Sequence, residues 1–160
     1  MINIDQCEEL RPKVRYSDGA NLTISDVKSA LEEKIREHGI NAIVTREQVK
    51  SGGIFNSNVD DCLLIYHRDH QKDYFNHLII MKKQGNFTYL STYGCGKSKQ
   101  IGKQARSDFA KDDRKGKSVS YKLGSVVAST IASVGLNKNK VEEENMYYDS
   151  INFVIDEVVS

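Results

Sequence analysis

The chain has 160 residues, a formal net charge of +1, 39% hydrophobic residues and 28% charged residues. That length and balance suit one domain with its own core, and they exclude a disordered chain, a membrane-embedded bundle and a surface uniformly coated for nucleic acid. No basic-then-apolar leader opens the chain, and its three cysteines, Cys7, Cys62 and Cys95, lack paired metal spacing, so reduced thiols in a cytoplasmic protein are expected.

Residues 1–22, with Pro12 and the turn-like Ser17-Asp18-Gly19, predict a strand or extended arm followed by a loop. Val27, Leu31 and Ile35 then recur every four residues, Thr23 or Ser25 stands where a cap belongs, and Gly39 follows as a C′ glycine. A helix is therefore expected over 25–38. Ile40 to Thr45 predicts a short strand, and Arg46 to Lys50 a helical turn before Ser51-Gly52-Gly53.

Three runs rich in β-branched and aromatic residues follow: Cys62 to Tyr66, Tyr74 to Met81 and Phe87 to Leu90. Polar turns separate them, which predicts an antiparallel meander. Lys83-Gln84-Gly85 suits a three-residue hairpin loop, placing Met81 opposite Phe87, Ile79 opposite Tyr89 and Phe75 opposite Tyr93. The apolar face so formed is expected to be core rather than a base-stacking platform.

In the C-terminal third, Ile101, Ala105 and Phe109 mark a helix over 98–113. Leu123, Val127, Ile131 and Val134 mark a second, with Gly124, Ala128 and Ala132 beside them as a stripe for close packing on the final helix or for a homodimer contact. Asn139 can cap a last helix whose first turns hold Glu142, Glu143 and Glu144, with Tyr147, Ile151, Ile155 and Val158 facing inward. The expected fold is thus a single α+β domain over 1–160. Its antiparallel meander of three or four strands packs against one N-terminal helix and two or three helices in the C-terminal part, 98–160.

The chemistry-bearing feature is the turn Gly94-Cys95-Gly96-Lys97-Ser98, where a strand feeds a helix. A phosphate loop carries glycine, four residues, then Gly-Lys-Ser/Thr, so that backbone N–H groups cradle phosphates and the hydroxyl reaches Mg²⁺. Gly96, Lys97 and Ser98 match its second half, but Ser91 occupies the first glycine position, and Phe87–Leu90 follows a hairpin instead of a parallel strand. Asp156, after Phe153-Val154-Ile155, is the acidic partner that a nucleotide-binding enzyme would need, and a helix over the same residues would argue against it.

Between Lys97 and Lys117 eight cations stand against Asp108, Asp112 and Asp113. The leading expectation is a non-enzymatic interaction module that binds an acidic protein or a nucleic acid through 94–117, using Gly94, Gly96, Lys97, Ser98, Lys99, Lys103 and Arg106. A nucleotide-binding enzyme with a degenerate phosphate loop at 94–98 is the alternative. His67, His70 and His77, with Asp60, Asp61, Asp69 and Asp73 nearby, do not converge by spacing, and neither a metal nor a cofactor is expected. Cys95 lacks a base within reach in the expected register and is read as incidental.

Overall fold

The computed structural model describes residues 1–53, 58–98 and 138–160. They form a six-stranded mixed sheet with two α-helices, in place of the expected three- to four-stranded antiparallel meander with two or three C-terminal helices. The strands are β1 (Ile2–Asn3), β2 (Cys7–Tyr16), β3 (Ala42–Ser51), β4 (Asn58–His67), β5 (Asn76–Gln84) and β6 (Phe87–Cys95), with α1 (Ile24–Glu37) before β3 and α2 (Lys138–Val159) at the end. The two helices expected over 98–113 and around 123–134, with the Gly124, Ala128 and Ala132 stripe, lie outside the described residues.

Sheet order is β1-β3-β4-β5-β6-β2, antiparallel throughout except that β1 runs parallel to β3. The N-terminal segment is therefore no arm, since it supplies both edge strands. Only Ile4–Gln6, a single 3-10 turn, joins those two edges. Six flat strands would separate them by about 24 Å, whereas four Cα steps reach at most ~15 Å, so the sheet must curl its edges together. Bulges in β2 on either side of Arg11 supply bending there and accommodate Pro12.

Both faces of the curled sheet are covered. On one face α1 and α2 bury Leu31, Leu63, Ile65, Ile79, Tyr148, Ile151 and Ile155 in the larger core. On the other, the crossing chain lays Ile2 and Ile4 on a smaller cluster of Val49, Cys62, Leu78, Ile80 and Cys95. The consecutive burial of His77, Leu78, Ile79 and Ile80 in β5 follows from this two-sided cover.

A disulfide joins Cys7 to Cys95 across β2 and β6, with Cα atoms 4.5 Å apart, which corrects the expectation of reduced thiols; Cys62 is the buried free cysteine. The bond closes a separation of 88 residues, and a loop of that length stabilises the fold by on the order of 4 kcal/mol through the unfolded chain. It also fixes the end of β6, from which the glycine-rich turn departs.

The local signals in α1 act as expected. Thr23 Oγ1 accepts the Asp26 N–H at 3.1 Å and Asp26 accepts the Thr23 N–H at 2.9 Å, a reciprocal cap. Gly39 takes φ +66° just past the end. Arg46 to Lys50, expected as a helical turn, instead continues β3, because pairing with Leu63 to Val59 of β4 supplies partners that local propensity does not reveal. The β5–β6 register also differs: Gln84 pairs with Phe87, Met81 with Leu90 and Ile79 with Thr92. The loop is the two-residue Gly85-Asn86, with Gly85 at φ +58°, and Lys83 and Gln84 stay in the strand. An odd shift of three residues moves Phe87, Tyr89 and Tyr93 to the opposite face from Phe75, Ile79 and Met81.

Candidate functional site

The chain leaves β6 at Cys95, turns through Gly96 at φ +86°, exposes Lys97 and buries Ser98. Ser98 is turned inward, where its hydroxyl donates to Glu144 of α2, at 2.6 Å from Oε1 and 2.9 Å from Oε2. One turn along α2, the Tyr148 hydroxyl donates to the same Oε1 at 2.8 Å and accepts the Phe75 N–H at 3.0 Å. The Tyr148 ring stacks on Phe75 with centroids 3.8 Å apart, which fixes the hydroxyl in place.

Glu144 is 0% exposed. Burial pushes its carboxyl up to about 7; the hydrogen bonds from Ser98 and Tyr148 oppose the shift, as does His70, while Asp73 adds to it. Tyr148 is raised far more, first by burial and then by the charge of Glu144. The arrangement can hold a proton in the neutral range and pass its consequences to Ser98.

A histidine lies deeper in the same helix–sheet interface. His77 is 0% exposed, opposite Gly94 in the β5–β6 register, with its ring centroid 5.5 Å from Phe75 and 6.1 Å from Tyr148. Neither ring nitrogen has a hydrogen-bond partner among the described residues, and the same holds for both side-chain polar atoms of Asn145. Burial, helped by the charge of Arg11, holds His77 down to about 3, so it is neutral. Arg11 itself is aimed inward by the β2 bulge, where it reaches the Asn152 carbonyl and Oδ1 at 3.4 and 3.3 Å and pairs with Asp156.

His67 and His70 come together at the β4–β5 loop, with rings 4.7 Å apart, while His77 stays within the sheet. His67 Nδ1 accepts the Asp69 N–H at 3.0 Å, His70 Nδ1 lies 3.0 Å from Asp73, and the His70 ring stacks on Tyr74. Among the described residues no group of three or more His, Cys, Asp or Glu is placed to hold a metal ion. No helix among them is long and apolar enough to cross a membrane.

Of the residues singled out in sequence, the structure brings Gly94, Gly96, Lys97 and Ser98 together at the end of β6; Lys99, Lys103 and Arg106 lie outside the described residues. Gly94 is a sheet residue between Glu8 of β2 and His77 of β5. A phosphate loop would need a parallel neighbour for β6, yet both its neighbours are antiparallel, and Asp156 lies on α2 bonded to Arg11. Cys95 is held in its disulfide.

Sequence reasoning missed Glu144, Tyr148 and Arg11 as members of a site. Ser98 and Glu144 are 46 positions apart, and the only prior signal was a glutamate on the helix face that also carries Tyr148. Open clefts lie elsewhere, one of about 610 Å³ beside Arg11, Lys13 and Phe153, another of about 550 Å³ beside Met1, Arg46 and Asp61. Comparison with protein-family models, curated proteins and solved structures finds no match.

Proposed function

We propose that this chain is an interaction module that binds a polyanionic partner, an acidic protein or a nucleic acid, through the segment 94–117. The carrying observation is the charge distribution: eight cations against three aspartates between Lys97 and Lys117, in a chain whose net charge is only +1. Cations so concentrated gain affinity by releasing counterions from a polyanion. The rigid root of the segment supports the reading, since the Cys7–Cys95 disulfide and the Ser98–Glu144 contact fix both sides of the exposed Lys97. The disulfide also favours an oxidising compartment over the cytosol first expected, because such bonds persist where thiol reductants do not reach them.

Reversing charge at Lys97, Lys99, Lys103 and Arg106 to Glu should weaken binding to polyphosphate at least tenfold and flatten its dependence on salt. Unchanged affinity and salt slope would remove the segment from the interface. Circular dichroism of the variant guards against a folding artefact.

A further inference from the structure

The Ser98 hydroxyl commits its proton to Glu144 for as long as that carboxyl is ionised. It then has none to offer an anion beside Gly96 and Lys97, and the buried charge behind it repels such an anion. Among the described residues the hydrogen-bond partners of Glu144 are two hydroxyls and no cation.

We propose that anion binding at Gly96, Lys97 and Ser98 is proton-linked, with Glu144 taking up one proton as the anion docks while the Ser98 hydroxyl turns its own proton from Glu144 to the anion. The inference rests on the reading of this turn as the root of a polyanion-binding segment. The proton comes from solvent and adds to Oε2. The new O–H donates to Ser98 Oγ across the existing 2.9 Å contact, and Ser98 O–H donates to the anion. Tyr148 continues to donate to Oε1, and the Phe75 N–H continues to bond Tyr148.

Among the described residues, the groups that face Glu144 are Ser98 beyond β6, Tyr148 on α2, and Asp73 and His70 on the β4–β5 loop, with Tyr74 beside them. Asp73 and His70 act on the carboxyl in opposite directions and contact each other at 3.0 Å. Burial already holds the carboxyl at about 7, which puts the exchange in the neutral range.

The test uses the oxidised full chain and inorganic sulfate, which stays doubly charged at both pH 6 and pH 8, with calorimetry in buffers of different ionisation enthalpy. Affinity should be about tenfold tighter at the lower pH, with uptake of about half a proton per sulfate bound near pH 7, rising toward about one at pH 8. Glu144→Gln should bind equally at both pH values, close to the wild-type value at low pH, and His70→Asn should keep the wild-type pH dependence.

Sulfate binding that is independent of pH and takes up no proton would overturn the linkage while leaving the anion site standing. Loss of the pH dependence in His70→Asn alone would transfer it to the loop and overturn the role of Glu144. Absence of sulfate binding in both wild type and Glu144→Gln at either pH would overturn the anion site and the linkage together. Proton uptake measured on the wild-type protein and on His70→Asn decides the matter even where Glu144→Gln fails to fold.

Discussion

Glu144 and His77 lie in the same helix–sheet interface, each 0% exposed, and the fold treats them in opposite ways. Glu144 is surrounded by donors, two hydroxyls within 2.9 Å, and its carboxyl is raised to about 7. His77 sits between aromatic rings with neither nitrogen partnered among the described residues, and it is held down to about 3. Burial disfavours charge on both. The difference is that hydrogen bonds keep the glutamate's proton exchangeable near neutral pH, whereas desolvation, helped by the charge of Arg11, locks the histidine neutral. One polar group is equipped for titration and the other is a fixed part of the core.

The largest test of this contrast is Tyr148→Ala, which removes the ring stacked on Phe75 and one of the two donors to Glu144. Loss of a buried aromatic ring of this size costs about 3–5 kcal/mol, read as a fall in the denaturant midpoint at constant slope. A loss well below 1 kcal/mol would mean that the ring does not organise the interface.

Next comes the pH dependence of Glu144→Gln. Because the folded carboxyl of wild type is raised from 4.5 to about 7, its contribution is fully present below the unfolded value and is lost as pH rises through the folded one. Between pH 5 and pH 8 the stability difference should therefore shift in favour of the glutamine variant, by on the order of 2 kcal/mol. Parallel stability profiles for the two proteins would contradict the assignment.

The smallest effect at neutral pH is expected for His77→Phe. Replacing a buried ring whose nitrogens have no partner among the described residues by an apolar one of similar shape should change stability by less than about 1 kcal/mol at pH 7, in either direction. On the acid side the two proteins should part. The depressed histidine contributes stability that is present above 6.5 and is lost as pH falls toward about 3, and the phenylalanine variant lacks that loss. A large destabilisation at pH 7 would show that His77 makes hydrogen bonds the described residues do not supply.

These two sites also mark where sequence reading succeeds and stops. Helix α1 was legible because its signals are local: a four-residue apolar repeat, a cap at Thr23 and a glycine at 39. Strand β3 was half legible, since Arg46 to Lys50 is polar apart from Val49 and becomes strand only through β4. The β5–β6 register failed on Lys83 and Gln84, whose polarity reads as loop although both are paired. The two edge strands, the Cys7–Cys95 bond and the Ser98–Glu144 contact join residues far apart in the chain, where no local pattern exists to be read. At the turn itself, Gly96 and Lys97 stand out in the sequence, but the carboxylate behind Ser98 does not.

The most direct measurement is a carbon-detected NMR titration of the Glu144 carboxyl in the oxidised protein, followed together with the amide of Ser98 and the ring of Tyr148. The account predicts one shared midpoint near 7, because the proton exchanges within a single hydrogen-bonded cluster. A midpoint near the ordinary glutamate value of about 4.3, with Ser98 and Tyr148 unmoved, would contradict it.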